Sequence, residues 1–208
     1  MNILLTNDDG IHSEGLWAIA QKLCEIADVT VVVPDRDQSG MGASMTLLKP
    51  LSFERVQPRT AGVYAAYTVQ GTPADCVIMA TEHILESKPD LIVSGINQGA
   101  NLGLDVFNSG TFGAALHGYF RGINSIAVSV LYKEDVIYGP SAVVGTILAQ
   151  CVLDMPSEEK LLLNLNLPAC QMGDIKAFDL TNLGPKAFLE NVESMQSGRR
   201  TFFWIRHN

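Results

Sequence analysis

Basic residues are scarce in this chain. Only 14 Lys and Arg stand against 22 Asp and Glu over 208 residues, giving a formal net charge of −8. A protein that grips a long polyanion carries a basic face, so extended nucleic acid is a poor partner. A small anion is not excluded, because backbone amides, a helix N-terminus or a metal ion bind phosphate locally whatever the net charge. Cysteine is sparse as well. Cys24, Cys76, Cys151 and Cys170 form no C-x-x-C pair, and their wide spacing predicts buried free thiols in a reducing compartment. No run of about 18 apolar residues occurs, so no membrane-spanning helix is expected. The opening MNILLTNDDG lacks the basic n-region of a signal peptide, and the chain reads as soluble and cytoplasmic. Internal repeats and low-complexity linkers are missing too. What is present is a composition of 47% hydrophobic and 17% charged residues, which supports one domain with a large core and excludes global disorder.

Apolar runs alternate with helical patterns, the signature of βαβ units and of a doubly wound, mostly parallel α/β sheet. Asn2–Thr6, Val29–Val33, Val63–Val69, Leu91–Val93, Ile126–Val130 and Leu161–Leu165 read as strands, and Met45–Pro58 as a loop or hairpin. Leu16, Ile19, Ala20, Leu23 and Ile26 share one helical face. Thr72, Pro73 and Asp75 supply an N-cap, a first-turn proline and a capping-box acid, predicting a helix to about Leu85. Further helices are expected over Thr111–Phe120 and Ser141–Leu153. After Pro168 the pattern weakens, and Thr201–Ile205 reads as an edge strand or hairpin arm. The domain therefore spans 1–208, with a less regular C-terminal extension from about residue 169.

Three segments carry chemistry. Asn7–Asp8–Asp9–Gly10 follows the first strand directly. As a tetrapeptide it reads equally well as a tight turn. Its position argues for more: ligand crevices of open α/β sheets lie beyond the carboxyl ends of the strands, and two adjacent carboxylates there repel unless a cation or proton intervenes. Hard ions such as Mg²⁺ or Mn²⁺ prefer such oxygens and keep positions open to water and phosphate. Pro34–Gly40 follows the second strand, where Ser39 offers a neutral oxygen and Arg36 with the aspartates shapes a loop; a solvated loop with an internal ion pair is the competing reading. The third segment, Ser94–Asp105 and then Asn108–Thr111, is rich in glycine. Gly95, Gly99, Gly103, Gly110 and Gly113 clear side chains from a backbone that a ligand can approach. Asn97 offers a carboxamide oxygen, and the amides of Ser109, Gly110 and Thr111 at a helix start form a phosphate cradle. Neither G-x-G-x-x-G nor a P-loop is matched, and Ser109 lacks the G-x-S-x-G setting of a serine hydrolase. Of the histidines, His12 lies near the acidic pair, His83 reads as surface or packing, and no His pair has zinc spacing.

Taken together, Asn7–Ile11, Pro34–Gly40, Gly71–Val77, Ser94–Val106, Ser109–Thr111 and Gly113–Ala115 resemble the SurE family, the survival-protein-E nucleotidases. The resemblance is strong from Met1 to about Gly122 and fainter at Asn164–Pro168 and Phe202–Ile205. It implies a Rossmann-like domain and metal-dependent hydrolysis of nucleoside 5′-monophosphates, with 3′-nucleotides and short polyphosphate as further substrates. It implies one divalent ion per subunit on Asp8, Asp9, Ser39 and Asn97. Phosphate would meet Ser109–Thr111, with Asn97 and Asn101 beside it, and Asp8, Asp9 and Asn101 would act in catalysis. Asn108 and Phe112 depart from the family pattern, where an aromatic and a smaller aliphatic residue are usual. The family usually continues some tens of residues past Trp204–Ile205 into elements that join subunits, so a homodimer or homotetramer is expected, held by a shorter arm. Two rivals accompany this reading: a non-catalytic nucleotide- or metal-binding module, and a phosphotransferase with Asp8 as covalent nucleophile.

Overall fold

A computed structural model describes residues 1–156, 159–186 and 190–207. In chain order the elements are β1 (Asn2–Thr6), α1 (Glu14–Leu23), β2 (Asp28–Pro34), β3 (Phe53–Val56), β4 (Val63–Val69), α2 (Pro73–Met79), β5 (Leu91–Gln98), α3 (Gly110–Phe120), β6 (Asn124–Val130), α4 (Tyr138–Asp154), β7 (Leu162–Leu167), β8 (Glu190–Ser197) and β9 (Arg200–His207). Seven strands form one sheet in the order β3-β4-β2-β1-β5-β6-β7, and β8 with β9 forms a separate antiparallel hairpin. Every pairing in the large sheet is parallel except that of β3 with β4. Counting the parallel strands alone, the order is the 3-2-1-4-5-6 of doubly wound sheets, with its reversal between β1 and β5.

The strands are apolar throughout because helices cover both faces. Ile3 and Leu5 of β1, with Val29, Val31, Leu91 and Val93, face the layer of α1 and α4, while Leu4, Val32 and Ile92 face that of α2 and α3. The register Ile3↔Val29 and Ile3↔Leu91 keeps these rows aligned. At α2 the capping box forms as its residues dictate: Thr72 accepts from the Asp75 amide, and Asp75 accepts from that of Thr72. The α-helix is shorter than expected. It ends at Met79 and widens into one looser turn over Ala80–Ile84 before Leu85. Ile26 lies beyond the end of α1 and packs on the core from the following turn.

Other differences have local causes. Within Met45–Pro58 only Phe53–Val56 is a strand, recruited by antiparallel pairing with the edge of β4. Strand β5 runs on to Gln98, so the glycine-rich segment starts inside the sheet. All four cysteines are free, but only Cys76 is buried and Cys151 is exposed, since it lies on the outer side of α4. The C-terminal hairpin adds β8, an exposed partner strand with no apolar alternation to announce it. Among the described residues no helix is long and apolar enough to cross a membrane.

Close approach of α1 to the end of β5 depends on Gly15. A Cβ there would lie 2.3 Å from the Ile96 carbonyl oxygen and 2.9 Å from the Tyr138 ring. At Gly145 of α4 the nearest atom would be the flexible tip of Ile19, at 3.1 Å. Gly15→Ala is therefore expected to destabilise the fold by about 1–3 kcal/mol, whereas Gly145→Ala stays within about 1 kcal/mol of the parent because helix propensity offsets a small adjustment. Urea melts of the two variants check this; equal loss from both would show that backbone proximity at Gly15 is not limiting.

Candidate functional site

The turn after β1 satisfies both readings of its sequence. Asn7 spans it, its Nδ2 donating to the Gly10 carbonyl at 3.0 Å and its Oδ1 accepting from the Gly10 amide at 3.1 Å. This brace projects Asp8 and Asp9 at the reversal point of the sheet. Asp8 is 3% exposed, and the Thr111 hydroxyl donates to its Oδ1 at 2.6 Å. It meets the start of α3 so closely that a Cβ on Gly110 would stand 2.8 Å from the Asp8 Cβ. Glycine there makes the contact possible.

Electrostatics mark the pair. Burial raises the pKa of Asp8 from the usual carboxylate range, against the hydrogen bonds from Thr111 and its own backbone. Asp9 is pushed up to about 7, first by burial, then by the charges of Asp8 and Asp37, with a Ser13 hydrogen bond opposing. Among the described residues neither forms an ion pair with Lys, Arg or His. Two adjacent carboxyl groups, one buried and one half-buried, with no cation beside them are poised to take one.

The other expected oxygens sit on neighbouring loops. Gln38 donates its amide to the Asp8 carbonyl at 2.9 Å, which ties the loop after β2 to the acidic turn. In that loop Ser39 donates its hydroxyl to Asp37 at 2.6 Å, leaving its lone pairs available. Asp37 also accepts from the Ser39 amide, and no Arg36 ion pair forms among the described residues. Asn97, at the end of β5, donates Nδ2 to the Gly99 carbonyl at 2.6 Å, so its Oδ1 remains as an acceptor. Among the described residues no three His, Cys, Asp or Glu cluster in a metal-like group. Ser39 and Asn97 carry hydroxyl and amide oxygens, and Asp37 adds a third negative charge near enough to act on both aspartates.

At the start of α3, Ser109 caps the helix by accepting from the Phe112 amide at 3.1 Å, and Thr111 is engaged with Asp8. Gly110 lies between them at the helix N-terminus. Asn101 is fixed elsewhere: its amide donates to Asn166, its side chain to Ser129 at 2.8 Å, and its carbonyl accepts from Asn164 and Asn166. The sequence signal for this clamp is partial: Asn164 and Asn166 stand at alternate positions of a strand otherwise all leucine, whereas nothing marks Ser129 of β6. The glycines divide differently from expectation. Gly95 and Gly113 allow backbone contact with Val128 and Gly42, where a Cβ would fall 2.2 and 2.3 Å from carbonyl oxygens. Those two serve packing.

Clamps around the site hold the loop that carries Ser39. The Thr46 amide donates to Asp75 at 2.9 Å, the Thr72 hydroxyl donates to the Ser44 carbonyl, the Gly42 amide donates to the Asn108 carbonyl, and buried His117 bonds the Ala43 carbonyl at 3.1 Å. His83 packs edge-on against Phe53. His12 is exposed and meets Arg59. A cleft of about 250 Å³ opens beside Asp9, lined by Ser13, Glu14, Gln98 and Tyr138, and no local pattern in the chain announces it.

The raised pKa of Asp9 has a measurable sign. A carboxyl that binds its proton more tightly folded than unfolded stabilises the fold fully below its unfolded value near 4, and loses that contribution as the pH rises through about 7. Metal-free protein should therefore melt at a lower temperature at pH 8 than at pH 5, and Asp9→Asn should flatten this slope. Calorimetry in chelator measures it; an unchanged slope in Asp9→Asn would contradict the assignment.

Comparison with known proteins agrees with this architecture. The family model described as "Survival protein SurE" matches residues 3–190. A protein named 5′-nucleotidase SurE from Dehalococcoides mccartyi is 42% identical over 208 residues, covering 99% of this chain and 78% of its own length. One of the same name from Vibrio campbellii is 39% identical, covering 99% of this chain and 77% of its own. The crystal structure of the SurE protein from Aquifex aeolicus superposes with a TM-score of 0.84 at 38% identity, covering all of this chain and 82% of that one. The chain belongs to the SurE family.

Proposed function

We propose that this chain is a metal-dependent phosphomonoesterase that hydrolyses nucleoside 5′-monophosphates to nucleoside and phosphate. The observation that carries the proposal is the Asp8–Asp9 pair: adjacent, desolvated, with raised pKa values and no basic partner among the described residues. The relatives' shared name, 5′-nucleotidase, supports the reaction class. Asp8, Asp9, Ser39 and Asn97 would hold one Mg²⁺ or Mn²⁺ ion per subunit, an all-oxygen set that suits hard cations. Such an ion, when bound, polarises a phosphoryl oxygen and lowers the pKa of water.

The protein's own groups do the rest. The N-terminus of α3, at Ser109–Gly110–Thr111, directs its positive end at the phosphate. Thr111 fixes the rotamer of Asp8. Asn101 donates one side-chain amide hydrogen to Ser129, and the other would be free to meet charge developing on the phosphoryl oxygens. Asp9, the less buried of the pair, would have to be ionised to hold a cation, so metal affinity should rise with pH. Asp8 is buried and hydrogen-bonded, which disfavours it as a covalent nucleophile.

Asp8→Asn and Asp9→Asn should each lower phosphatase activity by orders of magnitude while the metal-free protein stays folded. Chelator should abolish activity, and Mg²⁺ or Mn²⁺ should restore it. Wild-type-like turnover by Asp9→Asn at saturating metal, or activity that survives exhaustive chelation, would defeat the proposal.

We also propose that the C-terminal hairpin packs on a second subunit. Phe202, Phe203, Trp204 and Ile205 of β9 are 44%, 67%, 53% and 72% exposed, an apolar edge that single chains rarely leave open. Light scattering should return at least twice the 22.5 kDa chain mass; a stable monomer at micromolar concentration would refute the association.

A further inference from the structure

The two carboxylates address opposite layers of the fold. Asp8 bonds Thr111 at the start of α3, whereas Asp9 is hydrogen-bonded by Ser13, which caps α1 on the other face of the sheet. The cleft of about 250 Å³ lies on this second side, between the starts of α1 and α4 and the end of β5. Its size is below the roughly 300–1,000 Å³ of a drug-sized site. It suits a fragment such as a nucleoside and is too small for a dinucleotide.

Its walls select by charge. Asp9, Ser13, Glu14, Gln98 and Tyr138 line it, with no Lys or Arg among them. A phosphate placed there would face Glu14 and Asp9 together, so the anionic end of a substrate is turned away, toward α3. A neutral polyhydroxyl group is welcome, because a carboxylate accepts strongly from hydroxyls. Glu14 is exposed to the cleft and has no hydrogen-bond partner among the described residues. The rest of the wall is fixed. Tyr138 donates its hydroxyl to Gln98 Oε1 at 3.3 Å, and Gln98 donates Nε2 to the Lys133 carbonyl at 2.9 Å. The Tyr138 ring rests against Gly15, where any side chain would collide with it.

We propose that this cleft is the nucleoside subsite, with Glu14 accepting from the ribose 2′-hydroxyl and Tyr138 forming the flat wall beside the sugar and base. The assignment rests on the nucleotidase reading and deepens it: the substrates favoured are ribonucleotides over 2′-deoxyribonucleotides.

The test is a ratio. With saturating Mn²⁺, kcat/KM is measured for adenosine 5′-monophosphate and its 2′-deoxy counterpart, using the full chain and Glu14→Gln. The parent should prefer the ribonucleotide, and Glu14→Gln should cut that preference by roughly tenfold, the scale of one lost charge-assisted hydrogen bond. Inhibition by free adenosine should weaken in parallel. An unchanged ratio, with or without a fall in overall rate, overturns the subsite, as does a parent enzyme with no sugar preference. If the parent hydrolyses p-nitrophenyl phosphate but neither nucleotide, the nucleotide reading itself fails; the preceding outcomes would leave that reading standing.

Discussion

Holding a buried Asp8 beside a half-buried Asp9 combines two penalties, desolvation and like-charge repulsion. Much of the surrounding structure answers that constraint. The Asn7 brace fixes the turn, Thr111 and the start of α3 meet one carboxyl, and Ser13 at the start of α1 meets the other. These contacts lessen the repulsion without neutralising it, because each is a dipole and none is a cation. The fold thereby keeps an unbalanced negative spot at its sheet reversal.

The surrounding loops are unusually well anchored for connecting segments. The stretch from Gln38 to Thr46 bonds the Asp8 carbonyl, Asn108, His117, Thr72 and Asp75 in turn. Asn101 is gripped by three residues from the ends of β6 and β7. Positioning of this kind lowers the reorganisation needed when a ligand arrives, since the polar groups already point where they are wanted.

Strands β1, β2 and β4 and the capping box at Thr72 were legible in the sequence because their signals are local: apolar runs between turns, and a side chain three residues from its backbone partner. The acidic pair was legible for the same reason, as a strand end followed at once by carboxylates. Strand β3 was not, since it owes its existence to an edge partner that pairs with it across a loop. Strand β8 was hidden by its polarity. The cleft at Glu14 and Tyr138 was invisible because its walls lie 124 positions apart in the chain, joined only by the crossing of α1 past α4. Glycines misled in part: a missing side chain looks identical in sequence whether it admits a ligand or a neighbouring strand.

The bond between Asp8 and Thr111 spans 103 positions. The groups around it come from the ends of β1, β2 and β5 and the start of α3, segments brought together only when both halves of the sheet have closed on the central strand. Long-range closures of this sort are made late, after local helices and hairpins have formed. Competence at this site is thus a property of the finished topology, and a chain arrested partway through folding would carry every one of the required residues and still be unable to act.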